Sequence, residues 1–196
     1  WAGTYTPTAD VEDSTNVLTL GTNWTDTTGN AYAGVATPTA NFTIDTSTPS
    51  IGAIGTGALS WGAVLNATED DNNGTVTVTT TGVEDGQTVT ITLNGATYTN
   101  TVSSNATTVT ITAAALQALT DGQSYTLTAD VSDAAGNAAA QVTSSSFAVD
   151  TTLPTISAIA TGAFSWGTHL NATEDNSNGT VSVTTVGVED GQTVTI

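Results

Sequence analysis

Carboxylates are the one chemically distinctive group in this 196-residue sequence, which holds 18 Asp and Glu, a single His, and no Lys, Arg, Cys or Met. They fall in short clusters: Asp10/Glu12/Asp13, Asp26, Asp45, Glu69/Asp70/Asp71, Glu84/Asp85, Asp121, Asp130/Asp133, Asp150, Glu174/Asp175 and Glu189/Asp190. With no basic side chain as a partner, each must be solvated, hydrogen-bonded or bound to a metal ion. Hard oxygen donors on flexible loops are what Ca2+ takes, about six to eight at a time, with backbone carbonyls filling gaps. No spacing here fits an EF-hand or a glycine-rich calcium nonapeptide. A cation site therefore has to be assembled from separate loops.

The same inventory excludes other classes. A net charge of −18 gives no electrostatic grip on nucleic acid or on an anionic membrane. An enzyme finds no Cys, Lys or Arg to serve as nucleophile, base or anion clamp. The lone His169 stands where a matching stretch has Val64. The Glu-Asp pairs sit in turns, not across a cleft as a glycosidase pair must. No disulfide framework exists, and no apolar run approaches the roughly 20 residues of a membrane helix. A start at Trp1-Ala2-Gly3 without Met reads as an internal piece of a longer protein.

The acidic clusters are spaced by segments that alternate with period two, Val or Ile inward and Thr outward. Seven strands are predicted over Ile51–Trp61, Gly74–Thr81, Thr88–Leu93, Tyr98–Val102, Thr107–Thr112, Tyr125–Val131 and Val142–Val149. Asn94-Gly95 marks a tight hairpin, because a type I′ turn needs positive φ. Only 113–119 reads as helix, a short connector. Seven strands in about a hundred residues is the size of an immunoglobulin-like sandwich. The fold class is therefore all-β, as tandem seven-stranded Greek-key sandwiches.

Tandem, because the sequence repeats itself. Phe42–Pro49 matches Phe147–Pro154 and the match runs on to the chain end: Trp61 with Trp166, Asn66 with Asn171, Glu69-Asp70 with Glu174-Asp175, and 82–87 with 187–192, all at an offset of 105 residues. A weaker echo, offset 107, links Asp26-x-x-Gly29-Asn30-Ala31 to Asp133-x-x-Gly136-Asn137-Ala138. The expected organisation is the C-terminal part of one domain over 1–45, a complete repeat over 46–150, and the N-terminal part of the next over 151–196.

The FTIDTSTP and FAVDTTLP linkers, with DVSDAAGN and TDTTGN, resemble those of bacterial immunoglobulin-like domains, found in tandem in giant repetitive surface adhesins, including RTX-type biofilm adhesins. The resemblance covers essentially the whole chain, although 1–41 diverges outside the Asp-x-x-Gly-Asn motif. It implies an extracellular extender on a bacterial cell surface, holding an adhesive tip away from the cell and rigidified by Ca2+ at domain junctions. Its partners would be neighbouring repeats of the same polypeptide, with no nucleic acid and no membrane insertion. Alternatives are a ligand-binding module that recognises a glycan or host protein through exposed loops or Trp61, or an accessory domain of a secreted hydrolase. The Thr-x-Thr steps resemble ice-binding arrays, but those need a flat ladder that twisted sandwich strands do not provide.

In a sandwich of this topology two poles collect the carboxylates. At the incoming linker, Glu84, Asp85, Asp130, Asp133 and Asn137 should face Asp45 and the preceding domain's Asp10, Glu12 and Asp13. At the outgoing linker, Glu69, Asp70, Asp71 and Asp121 should surround Asp150 and meet Glu189 and Asp190. These residues, Asp71 apart, are the expected Ca2+ ligands. The plainer reading is that acidic turns keep the protein soluble and its sheet edges apart.

Overall fold

Alternation of Val or Ile with Thr builds the strands of the computed structural model, which describes residues 3–196. Trp1 and Ala2, at the start of the expected 1–45 span, lie outside the described residues. The strands are β1 (Glu12–Asn16), β2 (Phe42–Asp45), β3 (Ser50–Ile51), β4 (Val64–Asn66), β5 (Gly74–Thr81), β6 (Thr88–Leu93), β7 (Ala96–Thr101), β8 (Ala106–Ile111), β9 (Ser124–Tyr125), β10 (Leu127–Asp130), β11 (Val142–Thr143), β12 (Phe147–Asp150), β13 (Thr155–Ile156) and β14 (Thr185–Val186). In β5, Val76 and Val78 are buried while Thr77 and Thr79 are exposed; β6 buries Val89, Ile91 and Leu93. One α-helix, α1 (Ala113–Gln117), plugs the core with Leu116.

Within 46–150 the strands form one sheet in the order β3-β5-β8 and another in the order β11-β10-β6-β7, continued by β4-β12-β9. Every pairing is antiparallel except β4 with β12. Asn94 (φ 48°) and Gly95 (φ 80°) turn β6 into β7 with Leu93 opposite Ala96, the expected two-residue hairpin. The fold class is as expected: an immunoglobulin-like β-sandwich with almost no helix.

The first strand departs from the expectation. Instead of running unbroken through Ile51–Trp61, the strand pairs with β5 at Ser50–Ile51, is interrupted by a short 3-10 turn over Thr56–Ala58, meets β5 again where Leu59 bridges Val76, and only then crosses to the opposite sheet as β4. Gly52, Gly55 and Gly57 supply no side chains for a pleated face, and a Cβ on Gly52 would meet Thr79 Oγ1. The last strand likewise divides, into β11 and β12. Ser144 holds the bend: its hydroxyl accepts the Leu127 N–H at 3.0 Å and donates to the Ser145 carbonyl at 2.8 Å.

Phe147 is the centre of the core, 1% exposed, with Trp61 edge-on to it at 5.3 Å and Tyr125 at 6.3 Å. Phe147→Ala removes the ring on which both aromatics rest, and a truncation of this kind costs about 3–5 kcal/mol. Urea titration followed by Trp fluorescence should register a fall of that size in the stability of the sandwich.

The flanking segments repeat pieces of this frame. β13 pairs β14 as β3 pairs β5, and the Phe164–Val181 bridge repeats Leu59–Val76, all shifted by 105 residues. Trp166 lies on Gly179 as Trp61 lies on Gly74. On the N-terminal side β1 pairs antiparallel with β2, as β9 does with β12.

Candidate functional site

The turn that carries Asp133 shows how the sequence arms a loop. Asp133 donates its N–H to the Asn137 carbonyl at 3.0 Å, and Gly136, at φ 96°, donates to the Asp133 carbonyl at 3.2 Å. The carboxylate closes the ring: Oδ1 accepts the Asn137 N–H at 2.7 Å and Oδ2 accepts Asn137 Nδ2 at 2.8 Å. Asp26 closes the same turn over Asn30 with contacts of 2.8 Å each, and gains the Thr28 hydroxyl at 2.8 Å. The weak echo in the sequence is therefore a shared loop geometry.

These contacts fix the carboxylates as anions. Burial raises the Asp133 carboxyl, which is only 4% exposed, but the Asn137 amides with the Gly136 and Ala135 N–H groups outweigh it and hold it below the ordinary 3.8. Asp26 is lowered as well, first by Asn30 and then by Thr28. Asp121 is lowered by the Thr152 hydroxyl and the Thr151 N–H. A carboxyl depressed in the folded state contributes stability that is complete above its unfolded value and is lost as pH falls through the folded one. In chelator, the melting-temperature gap between wild type and Asp133→Asn should therefore be widest near neutrality and should close below about pH 4. Thermal melts between pH 7 and pH 2.5 measure it.

Around the incoming linker a cleft of about 190 Å³ is lined by Glu12, Asp45, Glu84 and Asp133, together with Pro49, Val83 and Asn105. Glu12 stands opposite Asp45 in the β1–β2 register. Asp45 Oδ1 accepts the Ser47 N–H at 3.1 Å, and its carbonyl accepts Asn137 Nδ2 at 3.2 Å. Glu84 Oε2 accepts the Ala134 N–H at 2.9 Å, so the 82–87 and 130–138 loops are tied together beside the linker. Asn105 is a lining residue that strand patterning missed; the signal was the Ser104-Asn105 pair, both at positive φ.

Other expected ligands turn elsewhere. Asp13 accepts the Thr15 N–H at 2.9 Å, Asp85 the Ser104 N–H at 2.7 Å, and both oxygens of Asp130 meet Gln141 Nε2 at 3.0 and 2.9 Å. Asp10, at φ 55°, is exposed. At the outgoing linker Glu69 caps its own turn, accepting the Asn66 N–H at 3.1 Å, as Glu174 does for Asn171 at 3.0 Å. Asp71 accepts Gln117 Nε2 at 2.9 Å, and Asp121 reaches Thr151 and Thr152. Asp70 is half-buried in the same turn; Asp150 pairs with Asn66 in register. Glu189 lines a cleft with Pro154 and Val188, the counterpart of Glu84 with Pro49 and Val83, while Asp190 beside it is exposed.

Among the described residues no three His, Cys, Asp or Glu stand close enough to hold a metal ion. Four carboxylates around one cleft nevertheless supply the hard oxygen donors a divalent cation requires, and no ammonium or guanidinium competes for them. Apposed anions repel, by about 1 kcal/mol at 4 Å in water and about 4 kcal/mol at an effective dielectric constant near 20. Asp45 and Asp133 turn to amides of their own loops and Glu84 to the Ala134 N–H, which relieves that repulsion. The incoming junction offers oxygen donors of the right chemistry that are not gathered at one point; the outgoing junction is tied directly by hydrogen bonds.

Trp61, the sugar platform of the alternative reading, is 3% exposed and covered by Phe147, so its face cannot stack on a ligand.

No protein-family model and no curated protein matches the chain. Solved structures do. One is a bacterial immunoglobulin-like domain from the M. primoryensis ice-binding adhesin, 34% identical over 53% of this chain and 96% of that one, with a TM-score of 0.37. A second is part of a 1.5-MDa bacterial ice-binding adhesin studied for host cell surface retention, 32% identical over 69% of this chain and 41% of its own, TM-score 0.39. A third belongs to a Ca2+-stabilized adhesin that helps an Antarctic bacterium reach out and bind ice, 31% identical over 74% and 34%, TM-score 0.40. This chain spans less than half the length of the last two. The superpositions carry no weight at these TM-scores; the kinship rests on sequence identity across nearly the whole of a single domain. By that identity the chain belongs to the bacterial immunoglobulin-like domains.

Proposed function

We propose that this chain is a non-catalytic extender segment of a bacterial cell-surface adhesin, lying outside the cell and holding an adhesive tip away from it, with adhesion and biofilm formation as the outcome. Its units are 1–45, 46–150 and 151–196, and its immediate partners are further repeats of the same polypeptide. The observation that carries this reading is the incoming junction. A linker of only a few residues, closed by Pro49, passes through a cleft walled by carboxylates from both sides of it. Proline fixes φ and restricts bending there.

Glu12, Asp45, Glu84 and Asp133 would hold Ca2+ at that junction, with Asn137 and the outer carboxylates Asp10, Asp13, Asp85 and Asp130 nearby. Glu69, Asp70, Asp150, Glu189 and Asp190 are the corresponding groups around the outgoing linker, where Asp121 is already engaged by Thr151 and Thr152. When bound, the cation replaces repulsion between loops of successive units with shared coordination. The chain's own part is to present oxygens from strand ends at Glu12 and Asp45 and from the hydrogen-bonded loops of Glu84 and Asp133, with no basic group among them. The neighbour described as Ca2+-stabilized supports the choice of metal.

A ligand that binds only the folded state stabilises it by about 2.7 kcal/mol at a hundredfold excess over Kd. The chain should therefore melt several degrees higher in millimolar CaCl2 than in chelator at equal ionic strength. Superimposable melting curves would leave the acidic turns as a solubility device alone.

A further inference from the structure

Each linker opens on a threonine, Thr46 and Thr151, at the same place in the 105-residue register. Both donate their backbone N–H to the strand corner that precedes the linker, but to acceptors of different chemistry. Thr46 donates to the Val11 carbonyl at 2.8 Å, while its hydroxyl accepts the Val11 N–H at 3.0 Å and donates to the Thr8 carbonyl at 3.0 Å. Thr151 instead donates to Asp121 Oδ1 at 2.7 Å, and the Thr152 hydroxyl donates to Asp121 Oδ2 at 2.6 Å. The corner that carries Asp121 is itself fixed to the last strand. Gly122 donates to the Val149 carbonyl and Val149 to the Gln123 carbonyl, both at 2.9 Å.

We infer that Asp121 is a metal-independent clamp on the outgoing linker, a positioning residue that sets the direction in which the chain leaves the sandwich. One planar carboxylate holds two successive linker residues through one N–H and one O–H. Both bonds are short and charge-assisted, the stronger class of hydrogen bond. At the incoming linker the matching residue, Thr46, is held by backbone and hydroxyl groups alone. The inference extends the extender reading but does not rest on the cation, because the donors that fill this carboxylate belong to the chain.

Hydrogen exchange at the Thr151 amide, measured on the full chain in chelator, tests it. Wild type should protect this amide. Asp121→Ala should speed its exchange about tenfold or more, the scale of a lost charge-assisted bond. The Thr46 and Val149 amides should be unchanged. Asp121→Asn keeps an acceptor for the Thr151 N–H while weakening any cation site, and should retain most of the protection. Equal Thr151 exchange in wild type and Asp121→Ala, or an Asn variant as fast as the Ala one, overturns the clamp. If Asp121→Ala also exposes Val149, Thr152→Val decides: it leaves the sheet intact and should quicken Thr151 exchange a few-fold, and no change overturns the clamp. Calcium-dependent stiffening with Thr151 exchange indifferent to Asp121 would overturn the clamp while sparing the cation reading.

Discussion

Residues 46–150 expressed alone are expected to fold into a cooperative antiparallel sandwich, while 1–45 and 151–196 expressed alone stay unfolded. Every buried hydrophobic residue among those described lies between Ile51 and Val149. Both sheets of the sandwich, from β3 to β12, lie within the same span. The outer segments hold matching residues without the strands that cover them. Leu65 is fully buried, whereas Leu170, its counterpart 105 residues on, is 58% exposed; Ile51 is 9% exposed and Ile156 58%. Burying a Leu or Ile side chain is worth about 1.5–3 kcal/mol, and fixing each backbone residue costs about 1–2 kcal/mol. A segment that leaves its apolar positions open cannot offset that entropy. Circular dichroism in calcium buffer should show a β spectrum with a sharp melt for 46–150 and coil spectra for the other two. A coil spectrum for 46–150 would mean that the repeat has been cut in the wrong phase.

The strands were legible because the alternation of Val or Ile with Thr in 75–79, 88–93 and 107–111 has one physical meaning. The Asn94-Gly95 turn was legible because few residues accept positive φ in succession. The path of 51–66 was not. Its apolar residues are scattered among glycines, and no local pattern states that Ile51 belongs to one sheet and Leu65 to the other. That choice is made by partners far along the chain, Thr80 for Ile51 and Val149 for Leu65.

The carboxylates divide in the same way. Their collection near the linkers followed from strand order, and Asp45, Glu84 and Asp133 do line one cleft. Their individual fates did not follow, because each is settled by a donor a few ångströms away. Glu69 is taken by the Asn66 N–H within a local turn that no strand pattern announces. Asp121 depended on where Thr151 and Thr152 would lie after a crossing of the whole sandwich, which no spacing encodes.

Stiffness is the functional claim, and small-angle X-ray scattering of a chain carrying four complete 105-residue repeats tests it most directly. Strands of roughly six to ten residues rise about 3.3 Å per residue, so one unit and its linker span about 40 Å and four in line about 160 Å. With calcium at the junctions the four-repeat chain should scatter as a rod with a radius of gyration of about 45 Å. In chelator the repeats should stay folded while the incoming-type junctions bend, and the radius of gyration should fall as the rod gives way to a flexible string. Asp45→Ala at every junction should produce the same fall with calcium present. A radius of gyration that ignores both chelation and Asp45→Ala would contradict calcium stiffening.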